Sequence, residues 1–178
     1  SGRENVSEAV ILSTCNRTEI YAVAEKFHGA YRDIRDFVAD WSFLPPEEFA
    51  DHLYVHYDDL AVDHLFAVAS GLDAAVLGEH EILGQVRAAW EVAFAEGTVA
   101  TQLNALFRHA VEVGKRARTD TAIARNIASV STAAVAMAAE RLGGLDGKRI
   151  LVPGAGGMAE SKVRALAAGP LAELVVAN

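Results

Sequence analysis

The sequence predicts an α/β protein in two parts, an α+β domain over residues 1–145 followed by a single βαβ unit over residues 146–178. Three observations predict it. Two short strand-like runs near the N-terminus give way to a series of helical stripes. After Gly143-Gly144 the character changes, and a strand, a glycine turn, a helix and a second strand follow in that order. The length of 178 residues, 52% of them hydrophobic, is enough for one domain and part of a second.

Taken in order, residues 9–12 are a compact apolar run and residues 20–23 are rich in strand formers. They flank the turn Ser13-Thr14-Cys15-Asn16-Arg17-Thr18-Glu19. Tyr31, Ile34, Phe37, Val38 and Trp41 recur at helical spacing. Leu44-Pro45-Pro46-Glu47-Glu48 stops that helix and opens a short one, with proline and acids in its first turn. Residues 54–57 are a candidate third strand. Asp58 or Asp59 is a good N-cap for the helix carrying Val62, Leu65, Phe66 and Ala69, which Ser70-Gly71-Leu72-Asp73 breaks. The next apolar face is Leu83, Val86, Trp90, Ala93 and Phe94, ended by Gly97. Leu103, Leu106, Phe107, Ala110, Val111 and Gly114 form the clearest helical stripe. An alanine-rich helix opens at Ser129-Val130-Ser131-Thr132 and closes at Gly143-Gly144. Residues 148–152, 158–167 and 174–176 are the strand, helix and strand of the βαβ unit. The boundary between the parts falls between about Leu142 and Lys148.

The net charge of -8 gives no general pull toward nucleic acid, so RNA contact would rest on a local basic patch. One cysteine excludes a disulfide framework and a cysteine-based zinc site, and fits a reducing, cytoplasmic setting. His28, His52, His56, His80 and His109 show no metal spacing, and none reads as a ligand. No apolar run reaches the length of a membrane span, and no signal peptide is visible. The chain opens Ser-Gly and stops at Asn178 just after an apolar strand, which reads as a piece cut at both ends.

Two motifs carry chemistry. Gly154-Ala155-Gly156-Gly157-Met158-Ala159 is a GxGxxA loop between strand and helix. Its first glycine permits a tight turn, its second lets a pyrophosphate approach the backbone, and its small last residue lets helix and strand pack closely. This reads as the first unit of a Rossmann-type dinucleotide-binding domain, against a merely structural glycine turn. Pro153 removes a donor, which a strand terminus tolerates. The residue that selects the cofactor comes about 20 positions on, where the chain stops, so NAD and NADP both stay open.

Cys15 is the second. A thiolate is the reactive form, and Arg17 would lower the thiol pKa or grip a substrate carboxylate. A lone cysteine more often packs as a small hydrophobe. Here it follows a strand, its neighbours are polar, and the chain carries a dinucleotide loop. A thiolate and a nicotinamide together suggest acyl transfer to sulfur and reduction of the thioester to an aldehyde.

Several blocks together resemble the glutamyl-tRNA reductase family. They are Ser13-Thr14-Cys15-Asn16-Arg17-Thr18-Glu19-Ile20-Tyr21, then His64 through Ser70-Gly71-Leu72-Asp73 to Val76-Leu77-Gly78-Glu79, then Ile82-Leu83-Gly84-Gln85-Val86. Gly114-Lys115-Arg116-Ala117-Arg118, Ser129-Val130-Ser131, the glycine loop and Ala177-Asn178 follow in the same order. The resemblance implies NADPH-dependent reduction of glutamyl-tRNA(Glu) to glutamate-1-semialdehyde with release of tRNA, the first committed step of tetrapyrrole synthesis. It implies Cys15 as nucleophile and His64 as a catalytic histidine. It implies Thr14, Asn16, Arg17, Glu79, His80, Glu81 and Gln85 at the glutamate pocket. Gly154, Ala155, Gly156, Gly157, Met158 and Ala159 would hold the NADPH phosphates. It also implies a homodimer for the whole protein and hand-over to glutamate-1-semialdehyde aminomutase. From spacing alone, His64 is a structural histidine on a helix, and Glu79 and Glu81, two apart on a helix, share no face. Arg108, Lys115, Arg116, Arg118 and Arg125 are either a solvated helix face or a docking strip for the tRNA backbone.

Departures from the family pattern are Ala74 in place of a serine, His80-Glu81 in place of a proline or polar residue followed by glutamine, and Ala159 in place of glycine. The family's first strand and most of its NADPH domain lie outside the sequence, so the piece by itself is expected to be inactive. The alternatives are another cysteine-dependent acyl or aldehyde oxidoreductase, and a non-catalytic nucleotide-binding module.

Overall fold

The structure, a computed structural model, describes residues 4–14, 16–79, 81–123, 130–154, 156–167 and 169–177. Strands β1 (Glu8–Ser13) and β2 (Thr18–Val23) form an antiparallel hairpin in which Val10 faces Tyr21 and Leu12 faces Glu19. Directly opposed residues share a face. Val10, Leu12, Tyr21 and the carboxylate-bearing Glu19 therefore all lie on the buried side. Helices α3 (Asp59–Ser70), α4 (Glu81–Ala95) and α5 (Thr101–Asp120) complete this core. Phe107 of α5 is fully buried and meets Tyr21 edge to face, with ring centroids 5.3 Å apart. The stripe expected on α5 buries Leu103, Phe107, Ala110, Val111 and Gly114.

Helix α1 (Phe27–Ser42), the short α2 (Pro46–Phe49) and a 3-10 turn (Ala50–His52) come between the hairpin and α3. The third strand expected at 54–57 does not form. On the β1 edge the backbone of Ala9 is bonded to Thr98, whose carbonyl and hydroxyl engage it at 2.8 and 2.9 Å, and residues 54–57 pair with neither strand. Tyr54 instead sends its hydroxyl to Glu19. Asp58 does precede α3, but at φ 50° its side chain makes no cap, and its carbonyl accepts from Ala61 and Val62. Phe94, expected on the apolar face of α4, is 64% exposed, because that helix buries Ile82, Val86 and Ala93.

The first turn of α5 is capped from another element. Ala100 offers no side-chain cap. The buried Glu8 carboxylate of β1 instead accepts the backbone N–H groups of Ala100, Gln102 and Leu103 at 2.8–3.1 Å. Burial would raise the Glu8 pKa, and the three amide donors outweigh it and hold it below 4.5. Glu8→Gln keeps the shape and loses the charge that complements the helix dipole, for an expected cost of about 1 kcal/mol. With the native pKa depressed, this stabilisation is present above the ordinary carboxylate range and fades as pH falls through the lowered native value. The wild-type advantage in urea melts should therefore be full at pH 7 and shrink toward pH 3. An advantage independent of pH would contradict the cap.

The second unit comprises α6 (Val130–Leu142), β3 (Arg149–Pro153), α7 (Gly157–Leu166) and β4 (Glu173–Ala177). β3 and β4 pair in parallel, from Arg149 opposite Glu173 to Pro153 opposite Ala177. Val152, Ala159 and Leu166 form its core, and Val135 of α6 packs against them with Ile150 and Leu174. The alanine-rich helix, which the sequence assigns to the first part, thus shares the core of the second. Among the described residues no helix is long and apolar enough to cross a membrane.

Candidate functional site

The turn between β1 and β2 is held by Thr14. Its backbone N–H and its hydroxyl both donate to the Arg17 carbonyl, and its Oγ1 accepts the N–H groups of Asn16 and Arg17 at 3.1 and 3.0 Å. A threonine can hold a turn this way because its hydroxyl competes with the backbone for local donors. The turn delivers Arg17 to the mouth of a cavity of about 640 Å³ lined by Asn16, Arg17, Tyr54, His56, His64, Ala67 and Asp73.

Glu19 is the hub of that site. One carboxylate oxygen, Oε1, accepts from His64 Nε2 (2.8 Å), the Tyr54 hydroxyl (2.7 Å) and Arg17 Nη1 (3.2 Å). The other accepts the Tyr21 hydroxyl at 2.5 Å. Burial opposes the charge, yet the donors from Tyr21, Tyr54 and His64 hold the Glu19 pKa below its ordinary value. Burial and the adjacent carboxylate push both tyrosines up, Tyr54 to about 12, so each stays a donor at neutral pH. An ionised carboxylate only accepts, so His64 carries its hydrogen on Nε2 and presents Nδ1 on the side of Asp73, 3.7 Å from Oδ2. The His64 ring lies 4.7 Å from the His56 ring and 5.7 Å from that of Tyr54.

Asp73 reaches the site on a clasped loop. Gly71 ends α3 in the left-handed region at φ 77°, and its carbonyl accepts the Gly78 N–H at 2.7 Å. A Cβ at Gly71 would come within 2.9 Å of the Gly78 Cα, so both ends of the clasp need glycine. Within it, Asp73 takes Arg17 Nη1 on Oδ2 at 2.5 Å and Nη2 on its own carbonyl. Burial works against the Arg17 charge, but the bonds to Asp73 and Glu19 raise its pKa above the ordinary value. Glu19, His64 and Asp73 also bring three potential metal-ligand atoms within 4.8 Å of one another. Arg17 already bridges both carboxylates, so a cation would have to displace a guanidinium.

The family model described as glutamyl-tRNAGlu reductase, N-terminal domain, matches residues 1–121. The chain belongs to the glutamyl-tRNA reductase family. It is similar to the glutamyl-tRNA reductase of Paenibacillus macerans, at 46% identity over 98% of this chain and 40% of that one. To that of Bacillus subtilis it is 45% identical, over 98% of this chain and 38% of the relative. The solved glutamyl-tRNA reductase from Methanopyrus kandleri superposes with a TM-score of 0.59 at 38% identity, covering 97% of this chain and 40% of that one. The chain thus spans about two fifths of the length of these relatives.

For a glutamyl-tRNA reductase family member, the structure groups some of the expected residues and separates others. Asn16, Arg17 and His64 line the cavity, and Thr14 holds the turn that carries the first two. Cys15 and His80 lie outside the described residues, as do Ala155 and Asn178. Glu79 precedes α4 rather than sitting in it, which corrects the placement of Glu79 and Glu81 on one helix. Burial raises the Glu79 pKa and the Glu81 charge adds to it, while Arg118 and Arg17 pull the other way. Gln85 is half-buried on α4 and exposed Glu81 begins that helix. Arg118 does not belong to a docking strip. Its guanidinium donates to the carbonyls of Ala69, Gly114 and Glu79 at 2.8–2.9 Å, tying α5 to the end of α3 and the start of α4.

At the second unit, Gly154 ends β3 at φ 93° and Gly156 is the N-cap of α7. A Cβ at either would meet nothing within 4 Å, so the backbone here faces open space. Ala159 is buried against β3, the close helix–strand packing that a small residue allows. The residues present therefore fit a pyrophosphate laid on the N-terminus of α7. The sequence singled out neither Glu19, Tyr54, His56 nor Asp73 as site residues. Glu19 alone left a signal, a charge at an inward position of an alternating strand.

Proposed function

We propose that this chain is the thiol-bearing, substrate-binding part of an NADPH-dependent enzyme that reduces glutamyl-tRNA(Glu) to glutamate-1-semialdehyde and releases tRNA, the entry step of tetrapyrrole synthesis. The observation that carries this reading is the Glu19 network, which fixes Arg17 and His64 beside the turn that holds Cys15. Cys15 Sγ, as thiolate, attacks the carbonyl carbon of the aminoacyl ester. The carbon–oxygen bond to the terminal ribose breaks, and a thioester remains. His64, its Nε2–H spent on Glu19, takes the Cys15 thiol proton on Nδ1 as the thiolate forms and passes that proton to the leaving ribose oxygen. Arg17 attracts substrate charge to the cavity, and a substrate carboxylate reaches it only in exchange for its Asp73 contacts. Gly154, Gly156 and the N-terminus of α7 would seat the dinucleotide phosphates. NADPH supplies, when bound, the hydride that turns a thioester into an aldehyde. Cys15 then leaves as thiolate, ready for the next ester.

The domain division belongs to this reading, a catalytic domain followed by an NADPH domain whose first strand opens after residue 146 and whose core α6 shares, as do a cytoplasmic setting, a homodimer and transfer of product to an aminomutase. A substrate panel tests the chemistry. The full-length protein that carries this chain, with NADPH, should release semialdehyde and free tRNA from glutamyl-tRNA, and leave glutamyl phosphate and a glutamyl coenzyme A ester unreduced. Reduction of either small acyl donor at a comparable rate, with glutamyl-tRNA untouched, would overturn it.

A further inference from the structure

A second concave surface lies between α4 and α5, away from the Glu19 network. It is a groove of about 530 Å³ lined by Trp90 and Phe94, with Arg87, Glu91, Arg108, Glu112 and Lys115 at its rim. Its two walls repeat one spacing. Arg87 and Phe94 are seven residues apart on α4, and Arg108 and Lys115 are seven apart on α5, so each pair sits on one helix face about 10.5 Å apart. Of the two acids at the rim, Glu91 is paired with Arg87 at 2.7 Å, and Glu112 lies 3.3 Å from the His109 ring. Arg108 and Lys115 are exposed and have no ion-pair partner among the described residues. Three cations against two acids give this rim a net positive charge, a local exception in a chain of net charge -8. Of the two aromatic rings, Phe94 is exposed and Trp90 half-buried against the core. Phe94 is 64% exposed, and the Trp90 indole N–H is fixed on Asn104 Oδ1 at 3.0 Å, which holds its ring in one orientation.

We propose that this groove docks the RNA portion of the substrate, with Arg108 and Lys115 on backbone phosphates and an unpaired base stacked on Phe94 beside Trp90. This rests on the glutamyl-tRNA reading above. Cations spaced along a helix with an aromatic face between them form the pattern that binds nucleic acid through backbone charge and base stacking. Lys115 lies one turn before Arg118, which donates to the Glu79 carbonyl, so one end of the groove lies toward the start of α4 at Glu81.

The test uses the full-length protein that carries this chain and deacylated tRNA(Glu) as probe, with affinity measured against salt. Arg108→Glu/Lys115→Glu should weaken binding at least about tenfold and reduce the slope of log K against log salt by about 1.5, as expected for two lost phosphate contacts. Phe94→Ala should weaken it about tenfold with the slope unchanged. Both variants should still form the thioester from a small-alcohol ester of glutamate at the wild-type rate. Unchanged tRNA affinity, with wild-type activity on glutamyl-tRNA intact, would overturn the docking surface alone. So would loss of small-ester turnover in the same variants, or dissociation of a self-associated chain without a change in tRNA affinity. A wild-type chain that neither binds tRNA nor acts on glutamyl-tRNA would remove the functional reading together with the groove.

Discussion

Glu19→Gln lowers kcat on glutamyl-tRNA by about 10²-fold, the order of loss that follows a misplacement of about 1 Å at a reaction centre. The substitution preserves volume, so any loss is electrostatic and directional. In the wild type one oxygen receives three donors, from Arg17, Tyr54 and His64, and the other receives Tyr21. A carboxamide has one oxygen and one N–H₂ group. With its oxygen toward Arg17, Tyr54 and His64, its N–H₂ group meets Tyr21, whose hydroxyl can accept but loses the acceptor for its own hydrogen; turned the other way, the N–H₂ group faces the Arg17 and His64 donors. The negative charge that balances Arg17 and orients His64 also disappears. Because Glu19 touches the reacting groups and not the RNA, the change should fall on kcat with the KM for glutamyl-tRNA little altered. A variant with kcat intact and a lowered melting temperature would reduce Glu19 to a packing element.

Gly114→Ala is expected to destabilise the fold by about 2 kcal/mol, a fall in Tm of about 4–8 °C for a chain of this size. Two effects oppose each other. Alanine in the middle of a helix gains about 1 kcal/mol over glycine from propensity. Against that, a Cβ at 114 would stand 2.5 Å from the Ala69 carbonyl oxygen and 2.8 Å from a Leu83 methyl. The leucine can turn away, but the carbonyl is α3 backbone and already accepts Arg118. Relief requires α3 and α5 to separate along the seam that buries Phe107 and Leu65, and overpacking of that kind costs about 1–3 kcal/mol or more. A rise in Tm, as propensity alone predicts, would show that the two helices do not meet there.

The parts legible in the sequence were those set by local pattern. The stripe on α5 declares itself because it packs on one face only, and the glycine loop because strand, turn and helix are contiguous. The same stripe, continued from Gly114 by four residues, already pointed Arg118 inward, and its place in a run of basic residues hid that. Residues 54–57 have a strand's composition, but an open edge to pair with is a property of the assembled fold. Phe94 fits the helical period of α4 and is exposed because α4 meets β1 and α5 through Ile82, Val86 and Ala93. The site itself depends on distant partners. His64 is 45 residues from Glu19 and Asp73 is 56 from Arg17, so no local motif contains both halves of either contact. Arg17 was legible as a functional cation, and the fact that it already holds Asp73 was not.

The central claim is covalent capture of the glutamyl group at the turn between β1 and β2. It is tested most directly by incubating the full-length protein that carries this chain with glutamyl-tRNA in the absence of NADPH and analysing the peptide that contains Cys15 by mass spectrometry. The account predicts a glutamyl thioester on Cys15, formed with stoichiometric release of tRNA and absent in Cys15→Ser. Release of tRNA with no adduct, or an adduct that persists in Cys15→Ser, would contradict it.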